Sequence, residues 1–280
     1  MRSVPAAGGT VSYRKSGAGP GLLLLHGTQG DGGPAFGALA GRFGDRRTVL
    51  LPAAGAPGVS AAPPGPPPLG LLVEQAAAVV ADHGAGPVDL LGVSLGAVAA
   101  AATAARHPGL VRRLVLVAPL PEGREAGQRT VSETWRALEE ADSALARRFG
   151  LSLALSPAFL ATLGAPRVRE PGPARPGAAG RGAGTGGHPG AGGLLPRVLA
   201  PTLVVGLTRD HLSPPHHARA VHAAIPGSRY AELDSGHAVQ AERPAELARL
   251  ARGFLLAGEG GGGRVPEAGP RREAAGAAGS

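Results

Sequence analysis

The 280-residue chain contains no cysteine, which excludes disulfides, thiolate metal sites and a cysteine nucleophile. Aromatic residues amount to 3%, with one tryptophan and two tyrosines, so a core has to be assembled from Val, Leu and Ala. Lysine is almost missing: of 28 basic residues, only Lys15 is not arginine. There is no run of 18 apolar residues, and no membrane-spanning helix is expected. Met1 to Thr10 lacks the charged start and apolar stretch of a secretory signal, so the expectation is a soluble cytoplasmic protein.

What is abundant is alanine, glycine (47) and proline (28), together with a formal net charge of +8. An arginine excess in that company reads as GC-rich codon choice. A nucleic-acid binder would concentrate its basic residues on one face and interleave aromatics for stacking. Here the arginines are scattered and the aromatics scarce, so neither nucleic acid nor membrane is an expected partner.

Short apolar runs alternate with helical patterns. Leu22 to Leu25, Thr48 to Leu51, Val88 to Leu91, Leu114 to Val117, Thr202 to Val205 and Ser228 to Leu233 read as strands. Residues 69–83, Leu95 to Arg106, Pro214 to Ala224 and Pro244 to Leu256 read as helices, the last opened by a proline suited to a first turn. This alternation predicts an α/β fold, a mostly parallel central sheet with helices on both faces. Residues 121–160 break the pattern with Trp135, Leu138, Leu145 and Phe149 at helical spacings and predict a helical insertion over the sheet edge. Residues 165–193 hold 10 Gly and 5 Pro in 29 positions, with Val168 as the only large aliphatic side chain. Such a stretch offsets little ordering entropy by burial, and disorder is expected there and in the tail 257–280.

Gly92-Val93-Ser94-Leu95-Gly96 has the form G-x-S-x-G. It joins a predicted strand to a predicted helix, the setting in which a sharp turn lifts a serine hydroxyl above a sheet. A serine nucleophile needs a base, and the base an orienting acid. Asp210 and His237 supply them in the order Ser, Asp, His, each just past a predicted strand end, where ligands of such sheets sit. Asp234, three residues before His237, is the rival acid. An oxyanion hole needs two backbone N–H groups; Leu95, opening the helix, and Thr28, after the first apolar strand, are the candidates. His26 reads as a brace for that loop. His211, His216, His217 and His222 include no i, i+4 pair with the glutamate of a zinc helix, so no metal and no cofactor are expected.

Leu-Leu-His-Gly at 24–27, Gly-Val-Ser-Leu-Gly at 92–96, Pro-Thr-Leu-Val-Val at 201–205, Asp210 followed by Pro214, Ser-Gly-His at 235–237 and Glu-Arg-Pro at 242–244 together resemble the α/β-hydrolase fold superfamily, in its single-domain esterase, lactonase and peroxidase-like branch. The resemblance runs from about Val11 to Leu256. It implies one domain over 1–256, with a helical cap inserted at about 121–193. It also implies that Trp135 either lines an acyl pocket or packs the cap on the body. Two stretches depart from it. After Pro52, where relatives continue Pro-Asp and a Gly-x-Gly-x-Ser turn, Ala53 and Ala56 intervene before a Pro-rich run; and 165–193 replaces amphipathic cap helix.

The expected activity is cleavage of a carboxylic ester, lactone or thioester of a small-molecule acyl substrate through an acyl-enzyme on Ser94, with His237 as base and Asp210 as orienting acid. Acyl transfer, cyclisation or perhydrolysis would use the same three residues and differ only in the second nucleophile. A catalytically silent binding protein is the rival from another class, and it has no need of all three.

Overall fold

The computed structural model describes residues 1–27, 34–53, 68–119, 125–169 and 191–258. Its strands are β1 (Arg2–Ala6), β2 (Gly9–Gly17), β3 (Gly21–Leu25), β4 (Thr48–Pro52), β5 (Val88–Val93), β6 (Val111–Val117), β7 (Thr202–Leu207) and β8 (Arg229–Leu233). The helices are α1 (Pro34–Gly41), α2 (Leu69–His83), α3 (Leu95–Arg106), α4 (Ala126–Ala141), α5 (Ser143–Ala154), α6 (Pro157–Arg169), α7 (Pro215–Ala224), α8 (Val239–Glu242) and α9 (Pro244–Leu255). The strands form one sheet in the order β1-β2-β4-β3-β5-β6-β7-β8. β2 runs antiparallel to β1 and β4, and the other pairs, β4–β3, β3–β5, β5–β6, β6–β7 and β7–β8, are parallel. The predicted mostly parallel sheet with helices on both faces is the observed architecture.

Strand periodicity splits the apolar runs between two cores. Leu23, Leu90, Leu114, Leu116 and Val204 face α2, α3 and α7. Leu22, Leu24, Leu91, Val115, Val117, Leu203 and Val205 face α1 and α9. Because both faces are covered, the central strands read as continuous apolar runs rather than alternating ones. α3 is buried over Gly96 to Ala105, and its alanines are what let a helix lie so close to the sheet.

α4 and α5 lie between β6 and β7, in the region expected to be a helical insertion. They are separate because Asp142 caps α5, accepting hydrogen bonds from the Ala144 and Leu145 N–H groups at 2.8 and 3.1 Å. α6 continues to Arg169, and a 3-10 turn spans Gly192–Arg197. Both ends of the stretch 165–193 therefore carry regular backbone; its middle, 170–190, and the tail beyond Gly258 lie outside the described residues.

Candidate active site

Ser94 stands between the last residue of β5 and the first of α3 with φ +58° and ψ −122°, a conformation that non-glycine residues seldom adopt. Its N–H donates to the Val117 carbonyl at 2.9 Å, which ties the turn to the end of β6. The motif glycines are required by close approach. A Cβ on Gly92 would lie 2.2 Å from the Gly96 carbonyl oxygen, and one on Gly96 would lie 2.1 Å from that of Leu25. The turn is thus wedged between the end of β3 and its own helix. Gly27 backs onto it, its hypothetical Cβ 3.0 Å from that of Ser94.

Asp210 and His237 meet. His237 Nδ1 donates to Asp210 Oδ2 at 2.7 Å, and Asp210 Oδ1 accepts from the Leu212 and Ser213 N–H groups at 2.8 Å each. The loops that carry them are stitched together: the Thr208 N–H donates to the Leu233 carbonyl and the Arg209 N–H to that of Ser235, both at 3.0 Å. Ser213 Oγ also donates to the Pro119 carbonyl at 3.1 Å, fastening the Asp210 loop beyond β6. The Asp210 side chain is fully buried and that of His237 is 14% exposed. Burial on its own disfavours a charged His237 imidazole; the charge of Asp210 and its hydrogen bond outweigh this and hold the pKa above the ordinary histidine value. Among the described residues, no hydrogen bond joins Ser94 Oγ to His237; such bonds commonly tighten only when substrate is present.

Asp234 is otherwise engaged. It accepts from Thr208 Oγ1 at 2.9 Å and Arg209 Nε at 2.8 Å, and its side chain is 64% exposed. Leu95 opens α3 directly after Ser94, whereas Thr28 lies outside the described residues. His26 Nδ1 donates to the Gly27 carbonyl at 2.8 Å, bracing the loop after β3. Trp135 is buried in the seam between α4, α5 and the Asp210 loop, against Ala146, Phe149 and Leu212.

Several contacts around these loops were not visible in the sequence. Glu242 accepts from the Ser156 N–H and from Ser156 Oγ, both at 2.7 Å, while the Ala238 N–H donates to the Ala154 carbonyl at 2.9 Å. These bonds clamp the α5–α6 junction onto the loop that carries His237. The pair Ser156-Pro157 was the one local signal, a cap residue followed by a first-turn proline. On the other side, Gln128 of α4 meets His217 of α7, their Nε2 atoms 2.6 Å apart. Burial, then the neighbouring His216, push the pKa of His217 down.

Residues 22–250 match the model of a family described as the alpha/beta hydrolase family. The chain is 32% identical over 276 residues to the pyrrolizixenacetamide deacetylase of Xenorhabdus hominickii, covering 91% of this chain and 98% of that protein. Its fold is shared with a hydrolase from Pseudomonas aeruginosa PA01 (TM-score 0.74, 24% identity, 91% of this chain and 98% of that one). It is shared too with the enol-lactonase of Burkholderia xenovorans LB400 (TM-score 0.71, 20% identity, 91% and 100%) and a thermophilic esterase of Thermogutta terrifontis (TM-score 0.73, 22% identity, 91% and 97%).

Proposed function

We propose, for a chain that belongs to the alpha/beta hydrolase family, that it removes a short acyl group from a small-molecule ester or amide through an acyl-enzyme on Ser94. The observation that carries this reading is the 2.7 Å hydrogen bond from His237 to a fully buried Asp210, on the same sheet edge as the strained Ser94 turn. Asp210 holds the imidazole in the tautomer with hydrogen on Nδ1, which leaves the Nε2 lone pair free as base. That nitrogen takes the Ser94 proton as Oγ attacks the acyl carbonyl. The oxyanion is received by the Leu95 N–H and, from the loop after β3, by that of Thr28. The imidazolium then protonates the departing alcohol or amine. A water activated by the same nitrogen releases the acid and restores Ser94.

The described helices α4 to α6 act as the cap in this reading, supported by the bonds from Ser156 and Ala154 to the His237 loop. A short acyl group is favoured because the Xenorhabdus relative is named a pyrrolizixenacetamide deacetylase. Lactones and thioesters present the same carbonyl to Ser94, and neither is favoured over the other. The test is labelling by a fluorophosphonate probe, read by intact mass, alongside turnover of acetyl esters and acetanilides. Wild-type protein takes up one probe. Ser94→Ala takes up none and loses turnover by several orders of magnitude, because nucleophile and base act as a unit. Near-native turnover in folded Ser94→Ala would overturn the assignment.

A further inference from the structure

Away from Ser94, one group of three side chains among the described residues converges its ligating atoms: Glu125, His216 and His217. His216 Nε2 lies 3.2 Å from each carboxylate oxygen of Glu125, and His217 Nε2 lies 3.7 Å from Glu125 Oε2. All the ligating atoms fall within 4.8 Å of one another, and the two imidazole centroids are 4.0 Å apart. Bonds of about 2.0–2.1 Å from a tetrahedral ion to N and O ligands separate those ligands by roughly 3.3 Å. The Glu125–His216 edge already has that length, and the Glu125–His217 edge exceeds it by a few tenths of an ångström.

A fourth side chain abuts the cluster. Gln128 is 7% exposed, and its Nε2 lies 2.6 Å from His217 Nε2. Its Oε1 is buried without a hydrogen-bond partner. An ion on His217 Nε2 would take the lone pair that the Gln128 amide now occupies, and the amide is held there by that contact alone, because its oxygen has no partner. The four residues come from two parts of the fold. Glu125 and Gln128 belong to the start of α4, whereas His216 and His217 belong to the first turn of α7, directly after the Asp210 loop.

We propose that Glu125, His216 and His217 bind a single divalent ion of the zinc class at the seam between α4 and α7, with a water as fourth ligand. Two imidazoles and one carboxylate form a ligand set that suits zinc, and the exposed side of Glu125 and His216 gives it an entry path. The ion's role is to fasten the inserted helices to the body beside Asp210. It takes no part in the acyl chemistry, so the site stands or falls independently of the reading of Ser94.

Sequence spacing hides this arrangement. Adjacent histidines lack the i, i+4 pattern of a zinc helix, and Glu125 lies 91 residues before His216.

The test uses the untagged full chain, stripped with a chelator and dialysed. Titration with zinc chloride in a calorimeter should show one equivalent bound, and the melting temperature should rise with zinc concentration. Cobalt(II) should give the intense visible absorption of a tetrahedral site. Glu125→Gln and His216→Ala change exposed residues, so their folding is not at risk, and each should weaken zinc binding at least about tenfold. His107→Ala, which alters another exposed histidine–glutamate pair, should leave it unchanged. Absence of zinc uptake by the wild-type chain, or uptake equal in wild type, Glu125→Gln and His216→Ala, would overturn the proposal.

Discussion

Asp210 and Asp234 are the same carboxylate in two environments. Asp234 spends its lone pairs on Arg209 and Thr208 at the surface; the hydrogen bond from Arg209, then that from Thr208, hold its pKa below the usual range. Asp210 is fully enclosed and turns one oxygen to two backbone N–H groups and the other to His237. Asp210→Asn should therefore lower kcat/KM by on the order of 10³- to 10⁴-fold, while Asp234→Asn leaves it within a few-fold. The pH profile gives a second check. In the proposed mechanism His237 works as a base only when neutral, and its pKa is held above the ordinary 6.5, so kcat/KM should fall as pH drops through a midpoint above 6.5. In Asp210→Asn the carboxylate that raises the pKa is gone and burial remains, so the midpoint of the residual activity should move below 6.5. An unmoved acid limb would detach Asp210 from His237. At this scale the sequence was readable where it pairs distant side chains, as in Asp210 and His237, which hydrogen-bond, and where it marks a turn, as at Ser94. It showed Ser156 only as a cap before Pro157 and Glu242 only within Glu-Arg-Pro, and held no sign of Gln128, because the partners of all three lie 86 to 89 residues away.

Among the elements, the helices with abrupt ends were legible to the residue. α2 and α3 span the predicted 69–83 and 95–106, because Pro68, Gly84, Ser94 and the His107-Pro108 pair punctuate them. The β1–β2 hairpin went unread. Its strands are largely exposed and show no apolar alternation; the usable sign was Gly8-Gly9, both at positive φ, between two short runs. The junction of α5 and α6 teaches something different. Ser156 caps α6 by accepting from the Phe159 N–H at 3.2 Å, while the glutamate that completes a capping box from within the helix is here supplied by Glu242, next to the His237 loop. Helix capping and placement of His237 are thus coupled. Glu242→Ala leaves the Ser156 N–H without its acceptor, at a cost of about 1–3 kcal/mol. The expected outcome is faster hydrogen exchange over 154–160 and a kcat lower by about tenfold with KM less affected. Glu242→Gln, which still offers an acceptor oxygen, should restore most of both. If exchange accelerates while kcat is unchanged, Glu242 serves the helix alone.

Over the whole molecule, the two edges of the parallel sheet do different jobs. The carboxyl edge carries Ser94, Asp210 and His237, while the opposite edge is locked by the arginines that the composition attributes to codon choice. Asp89, near the start of β5, accepts from Arg47 Nε at 2.9 Å and from two nitrogens of Arg112 at 3.0 and 2.7 Å. Arg47, only 1% exposed, also donates to the Leu255 carbonyl at the end of α9, and Arg113 holds the carbonyls of Phe254 and Ala257. Planar, multidentate guanidinium groups thus join β4, β5 and β6 and satisfy the last carbonyls of α9, which one ammonium per site would not do. Removing Asp89 strands a buried Arg47, so Asp89→Ala should lower the unfolding free energy by about 3–5 kcal/mol in urea titration. The pair Arg47→Met with Asp89→Leu removes both charges, and Arg112, 30% exposed, can turn to solvent; this variant should recover most of that loss. Five residues of strand, about 16 Å, separate Asp89 from Ser94. The folded fraction of each variant should therefore turn over substrate at the wild-type kcat. A double variant no more stable than Asp89→Ala would mean that the network gives the sheet more than mutual neutralisation, and a lowered kcat in folded Asp89→Ala would mean that the two edges are not independent.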